Sequence, residues 1–260
     1  MTILYLLSFW KSSIFGLPLK YYNHFVPFAE NLHQISMFLV PLPFIGFNIL
    51  TKEKLLLKKI FIIMIVVADI LMTFSTGSTK ASVAIFVGIF ILVCAKLYLI
   101  IQRKYKYLIF AIVPLSIAFL LTYINKLEQY FRLFFVENDG GNARAFLYKD
   151  ALEIGSQSFV FGLGTGPHLY AIGQYFDAHQ TFATAFLQAG IIGVLLLITL
   201  YYKLIRRIIK YPAIVAACST IFFYSLGGDI LRRLPIWIIL VLLYYYREED
   251  VSKSITPSNI

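Results

Sequence analysis

The residues best suited to do chemistry are His179, in Asp177-Ala178-His179-Gln180-Thr181, and Arg144, in Gly141-Asn142-Ala143-Arg144. An imidazole titrates close to working pH, so His179 is a ready general base for a hydroxyl group. A guanidinium stays charged and offers a planar fork to phosphate oxygens, which makes Arg144 a holder for an anionic leaving group. Lys80, Arg132 and either Arg232 or Arg233 can add positive charge to such a site, and His168 and Tyr170 can line it. Each has a plainer reading. A histidine at a membrane edge often serves as a hydrogen-bonded anchor, a lysine or arginine near a span end reaches toward headgroups, and loop aromatics seat on the membrane.

These side chains are carried by a chain built for lipid. Of its 260 residues 60% are hydrophobic and 14% are charged, and the mean hydropathy is +0.79. A soluble domain cannot hide that much apolar surface. In a bilayer the apolar side chains face lipid and the backbone must pair internally, so long apolar runs read as helices. The expected fold class is therefore all-α, a polytopic bundle of about six to eight transmembrane helices with a long extracytoplasmic loop that contains short amphipathic helices. Spans are expected at 33–50, 60–76, 81–101, 107–124, 182–204, 212–228 and 234–246. The last is short and needs flanking residues or a thinner bilayer. The opening stretch 1–19 is apolar but interrupted by Lys11. It reads as a tilted span, an interfacial helix or the stump of a longer protein; a signal peptide is disfavoured because the charge follows the apolar run.

Lysine and arginine near a span are retained in the cytoplasm. Lys52, Lys54, Lys58 and Lys59 mark one cytoplasmic loop, Arg103, Lys104 and Lys106 a second, and Arg206, Arg207 and Lys210 a third. Alternation then places Lys80 and the segment 125–181 outside, with Arg232 and Arg233 running against the bias. The chain divides into N-terminal transmembrane helices over 1–124, the extracytoplasmic loop over 125–181, C-terminal transmembrane helices over 182–246 and a polar cytoplasmic tail over 247–260. The net charge of +10 belongs to loops beside anionic lipid and argues little for nucleic acid. Cys94 and Cys218 fall inside spans, where a thiol behaves as a small hydrophobe and no disulfide is expected. The histidines are scattered and the outer loop has no paired-carboxylate motif, so neither a metal nor a cofactor is expected.

The outer loop is too rich in aromatic and apolar residues to be a linker. Over 125–135, Leu127, Phe131, Phe134 and Phe135 oppose Lys126, Glu128 and Arg132, the pattern of a helix lying in the interface. Glu137-Asn-Asp-Gly-Gly-Asn142 breaks it, and Asn142 can cap a second helix that carries Ala143, Leu147, Ala151 and Ile154 at three and four spacing. Gly162-Leu-Gly-Thr-Gly166 follows and reads as a tight bend. It is no nucleotide fingerprint, since no strand precedes it.

The order of these pieces resembles a known family. Arg144 with its aromatic-rich helix, Gly162-Leu-Gly-Thr-Gly166, Ala178-His179-Gln180 and Gln188-Ala-Gly190-Ile-Ile-Gly193 look like the signature of the O-antigen ligase and repeat-unit polymerase family. Ser75-Thr-Gly-Ser78-Thr-Lys80-Ala81 is similar to its earlier serine-arginine motif. The chain departs from the family in having Gln180 where asparagine is usual and Thr79-Lys80 where arginine is. The resemblance implies a glycosyltransferase of the cytoplasmic (inner) membrane, working on its outer face. Its donor would be an oligosaccharide on undecaprenyl diphosphate and its acceptor a glycan or lipid, with no metal and no nucleotide-sugar. It also implies more spans than this chain has, as in an N-terminally truncated copy, and a non-catalytic remnant or assembly partner of the family is a further reading. A reading from another class rests on Asp69, in the middle of the second span: a secondary transporter or flippase with a buried carboxylate. That reading expects further intramembrane polar groups or helices broken at paired positions.

Overall fold

A computed structural model describes residues 1–21, 24–27, 32–101, 141–166, 168–171, 174–176, 178 and 180–246. The expected span at 107–124, the interfacial helix at 125–135 and the tail at 247–260 lie outside the described residues, as do Arg132 and His179.

Within the described residues the chain is mostly helical, with short hairpins that an all-α reading omits. Helix α1 (Thr2–Leu7) leads into β1 (Ser13–Ile14) paired with β2 (Leu17–Pro18), and β3 (Lys20–Tyr21) paired with β4 (His24–Phe25). Six helical residues rise only about 9 Å against a hydrocarbon core of about 30 Å, so 1–19 is not a tilted span. The expected span at 33–50 is two helices, α2 (Leu32–Leu39) and α3 (Leu42–Lys52). The break falls at Pro41 and Pro43, which have no N–H to continue the helical ladder. Helix α4 (Leu56–Ser75) and helix α5 (Thr79–Ile100) follow. Ser78 caps α5 by accepting the Ala81 N–H.

Between α3 and α4, Glu53 accepts the backbone N–H groups of Leu55 at 3.0 Å and Lys54 at 2.9 Å. These bonds, the Leu55 one foremost, hold its carboxyl below the usual carboxylate range. Helix α6 (Gly141–Gly155) begins one residue before Asn142. A 3₁₀ turn and the hairpin of β5 (Leu169–Ala171) with β6 (Gln174–Phe176) lead to α7 (Thr181–Ile208), α8 (Pro212–Gly227) and α9 (Leu234–Tyr244).

Helix α8 is the centre of the bundle. It packs against α3, α5, α7 and α9, and its Ala213, Ala216, Ala217 and Thr220 are buried. Small residues let backbones approach where lipid gives no hydrophobic drive between helices. At Gly88 of α5 a Cβ would stand 2.5 Å from the Thr220 methyl and 2.3 Å from the Phe44 ring. Phe61, Met64, Phe86, Phe90, Leu196 and Leu242, on outward faces, are exposed. An apolar exterior on apolar helices is the face of a protein that sits in lipid. By length and composition three stretches can cross a membrane, Gln34–Lys52, Thr79–Ile100 and Thr181–Ile208, while α8 and α9 are apolar but shorter.

Helix α7 is not the straight span its sequence suggests. Gly190 has φ 61° and ψ −156°, so the helix breaks there. Phe182 and Tyr201 lie nineteen positions apart, about 28 Å along a straight helix. Yet both rings meet Phe222 edge-on, with centroids at 6.0 and 4.8 Å. The first half of α7 therefore folds toward α8. The loop after α6 fills the break: Leu163 N–H donates to Leu187 O at 2.7 Å, Gly164 N–H to Gln188 O at 3.0 Å, and Ile191 N–H to Phe159 O at 2.8 Å. Carbonyls and an N–H that lose helical partners thus find loop partners, as the membrane demands.

Candidate functional site

The helices share two ends. At one, Lys52 of α3 reaches Tyr211 and Tyr246, and Arg207 of α7 lies over Tyr244. The described basic loops 51–59 and 205–211 thus gather at a common end. At the opposite end α4 stops, α5 and α9 start, α8 finishes and the first half of α7 crosses over.

That opposite end is organised around two successive carbonyls. Gly227 closes α8, and its carbonyl accepts the Lys80 ammonium at 2.5 Å. A cation at a helix C-terminus is favourable in itself. The next carbonyl, Gly228, accepts both the Thr181 N–H at 3.2 Å and the Thr181 hydroxyl at 2.6 Å. The Thr181 oxygen in turn accepts the Ile230 N–H at 3.1 Å. Lys80, at the start of α5, and Thr181, at the start of α7, therefore grip adjacent residues of one turn. Asp229 accepts the Leu231 N–H at 2.9 Å, and the Trp237 indole donates to Leu231 O at 2.9 Å. These bonds shape the loop that carries exposed Arg232. Gln180 caps α7 by accepting the Ala183 N–H.

A second cluster gathers where α6 meets the first half of α7. Ala151 of α6, Leu169 of β5, Ala178 and Leu187 of α7 are all buried together, with Leu147, Ile154 and Ala183 packed on them. The three and four spacing read in α6 is thus its docking face. Arg144 is placed in the first turn of α6.

The sequence-predicted residues fall into separate groups. Lys80 and Arg232 belong to the Gly227–Gly228 corner. His179, outside the described residues, has Ala178 of the second cluster before it and the α7 cap Gln180 after it in the chain. Arg144 belongs to the helix docked on the first half of α7. His168 and Tyr170 flank buried Leu169 on the hairpin; the His168 Nε2 pairs with Gly164 O at 2.9 Å, and Tyr170 is exposed opposite Tyr175. Arg132 lies outside the described residues.

Sequence reasoning missed Thr181, the Gly227-Gly228-Asp229 turn and His24. The paired glycines after an apolar run were a usable signal for a helix stop. His24 carried none, being brought by a two-stranded hairpin onto the turn before Lys80: a Cβ on Gly77 would stand 2.3 Å from its Nδ1. The reading of Gly162 to Gly166 as a bend holds, since Gly162, Gly164 and Gly166 all have positive φ. Its purpose is new: at Gly162 a Cβ would lie 2.5 Å from the Ala189 N, so the loop backbone lies directly against the break in α7.

In comparison with known proteins, a family model described as O-antigen ligase matches residues 60–198. That stretch runs from α4 into α7 and includes Lys80, Arg144 and position 179. No curated protein and no solved structure matches.

Proposed function

The chain belongs to the O-antigen ligase family, whose match spans more than half of its length, and from that premise we propose that it is a membrane glycosyltransferase, either a polysaccharide polymerase or an O-antigen ligase. The donor in this reading is an oligosaccharide on undecaprenyl diphosphate, and the acceptor a hydroxyl of a glycan or lipid. His179 takes the proton from that hydroxyl, the oxygen bonds to the anomeric carbon, and the bond to the diphosphate breaks. Arg144 grips the departing diphosphate, with Lys80, Arg132 and Arg232 adding charge and His168 and Tyr170 lining the sugar. No metal takes part. The observation that carries the reading is the pair of grips on Gly227 and Gly228. They set Lys80, the residue two after His179 and the Arg232 loop at one end of the bundle, opposite the Lys52 and Arg207 end.

The reading includes a bundle of about six to eight spans in the cytoplasmic membrane, with 125–181 facing outward. Ser156, exposed in the 3₁₀ turn after α6, supports a test. In a chain with Cys94 and Cys218 replaced by alanine, Ser156→Cys is expected to react with an impermeant maleimide in intact cells. Reaction only after the membrane is opened would reverse the topology. Product formation is likewise expected to continue in excess chelator; loss that magnesium or manganese restores would contradict the metal-free step.

A transporter reading has two observations in its favour: α7 is broken in mid-span, and Asp69 of α4 is buried. Among the described residues the stretch 33–50 is also interrupted, at Pro41, but the backbone groups that the break in α7 exposes are taken by the loop 159–164 and not left to a solute. Asp69→Asn is therefore expected to leave glycan transfer within about threefold, against the larger losses that accompany removal of a proton-transfer group.

A further inference from the structure

The end of the bundle opposite the proposed site carries an arrangement that glycosyl transfer does not use. Lys52, at the close of α3, lies 4.8 Å from the centroid of the Tyr246 ring and 5.8 Å from that of Tyr211. Those two rings meet edge-on at 5.0 Å. Arg207 of α7 lies 4.6 Å from the Tyr244 centroid and 5.8 Å from that of Tyr245. One run of three tyrosines leaving α9 thus seats two cations from two other helices. The same two loops also carry Lys54, Lys58, Lys59, Arg206 and Lys210, and among their described residues Glu53 is the one acid.

The Tyr246 hydroxyl adds direction. It accepts from the Asn48 amide at 2.6 Å and from the Lys52 ammonium. Neither donor can accept in return, so the hydroxyl hydrogen is spent in neither bond and is available to an acceptor. An adjacent ammonium makes it a stronger donor. Rings that fix Lys52 and Arg207 remove rotamer freedom that headgroup binding would otherwise have to take away. Two positioned cations and a hydroxyl donor, at the edge of an apolar helix bundle, match a phosphodiester attached to acyl chains.

We propose that Lys52, Arg207 and Tyr246 form a binding site for the headgroup of an anionic phospholipid at the basic end of the bundle. The site selects phosphodiester charge and not acyl chains, and the lipid bridges α3, α7 and α9, which are joined there by side-chain contacts. It is independent of the glycosyl-transfer reading.

The test is native mass spectrometry of the purified full-length chain, titrated with phosphatidylglycerol and with phosphatidylcholine of the same acyl chains. Phosphatidylglycerol is expected to bind at least about tenfold more tightly, as two basic contacts warrant, and Lys52→Gln and Arg207→Gln should each weaken it about fivefold. Tyr246→Phe, which keeps the ring, should weaken it less but measurably. Lys203→Gln, a loss of the same charge from an exposed position on α7, should leave it within twofold. Equal binding of the two lipids would overturn the proposal. So would an equal loss in Lys203→Gln, which would mean diffuse charge, and full displacement by millimolar inorganic phosphate, which would mean a free-anion site. If Lys52→Gln does not fold, Arg207→Gln and Tyr246→Phe decide the matter alone.

Discussion

His179→Ala is expected to lower product formation by roughly 10²- to 10⁴-fold, the usual worth of a positioned proton transfer. Binding of the lipid-linked donor should change little, since the proposed role of the imidazole is at the acceptor hydroxyl. Arg144→Lys is expected to fail as well, because lysine keeps the charge but loses the two-pronged grip on phosphate. Here the loss should appear in donor binding and turnover together. The proposal treats them as one site because α6, with Arg144 in its first turn, docks through Leu147, Ala151 and Ile154 onto the cluster containing Ala178 and Ala183, and His179 follows Ala178 in the chain. The assay is polymer length or ligated product in a strain that relies on this gene, at matched membrane levels of each variant. Wild-type product from both variants would leave the family pattern here without its chemistry, and the chain would then read as a non-catalytic partner.

Gly190→Ala is expected to be the most destabilising single methyl in the described residues. At φ 61° and ψ −156° the backbone is in a region open essentially to glycine alone, which by itself costs about 1–3 kcal/mol for another residue. The added Cβ would also stand 2.3 Å from the Val160 carbonyl oxygen, so the loop must leave the break it fills. Its three hydrogen bonds to α7 would go with it. Gly164→Ala is the control, since its φ is +85° but nothing lies within 4 Å of the new methyl. That change should cost only about 1–2 kcal/mol. Thermal unfolding of the purified variants checks the pair. Equal losses would mean that strain and not loop docking is what Gly190 supplies.

The helices were largely legible because a membrane helix announces itself by its unbroken apolar run, and α4, α5 and α8 start and stop within a few residues of the expected bounds. The breaks were not legible for the same reason. Nothing polar interrupts 182–204 at Gly190, and the groups that satisfy its exposed backbone come from Phe159, Leu163 and Gly164, which no local pattern links to it. At Pro41 and Pro43 the signal was present, yet an apolar stretch long enough to span outweighed it in the reading. The two- and three-residue strands are too short for any period to register. In the site, Lys80 and Arg232 were singled out from the side of the membrane they should occupy. Their common corner was invisible, because it depends on Thr181 bonding to Gly228 across 47 positions.

The most direct measurement of the central claim is a reconstitution: the purified full-length chain in liposomes, given an oligosaccharide on undecaprenyl diphosphate and a candidate acceptor, with chelator present. The account predicts release of undecaprenyl diphosphate in step with a new glycosidic product, dependent on acceptor and abolished to near background in His179→Ala. Transport of the intact lipid-linked sugar across the bilayer without any release of undecaprenyl diphosphate would contradict it.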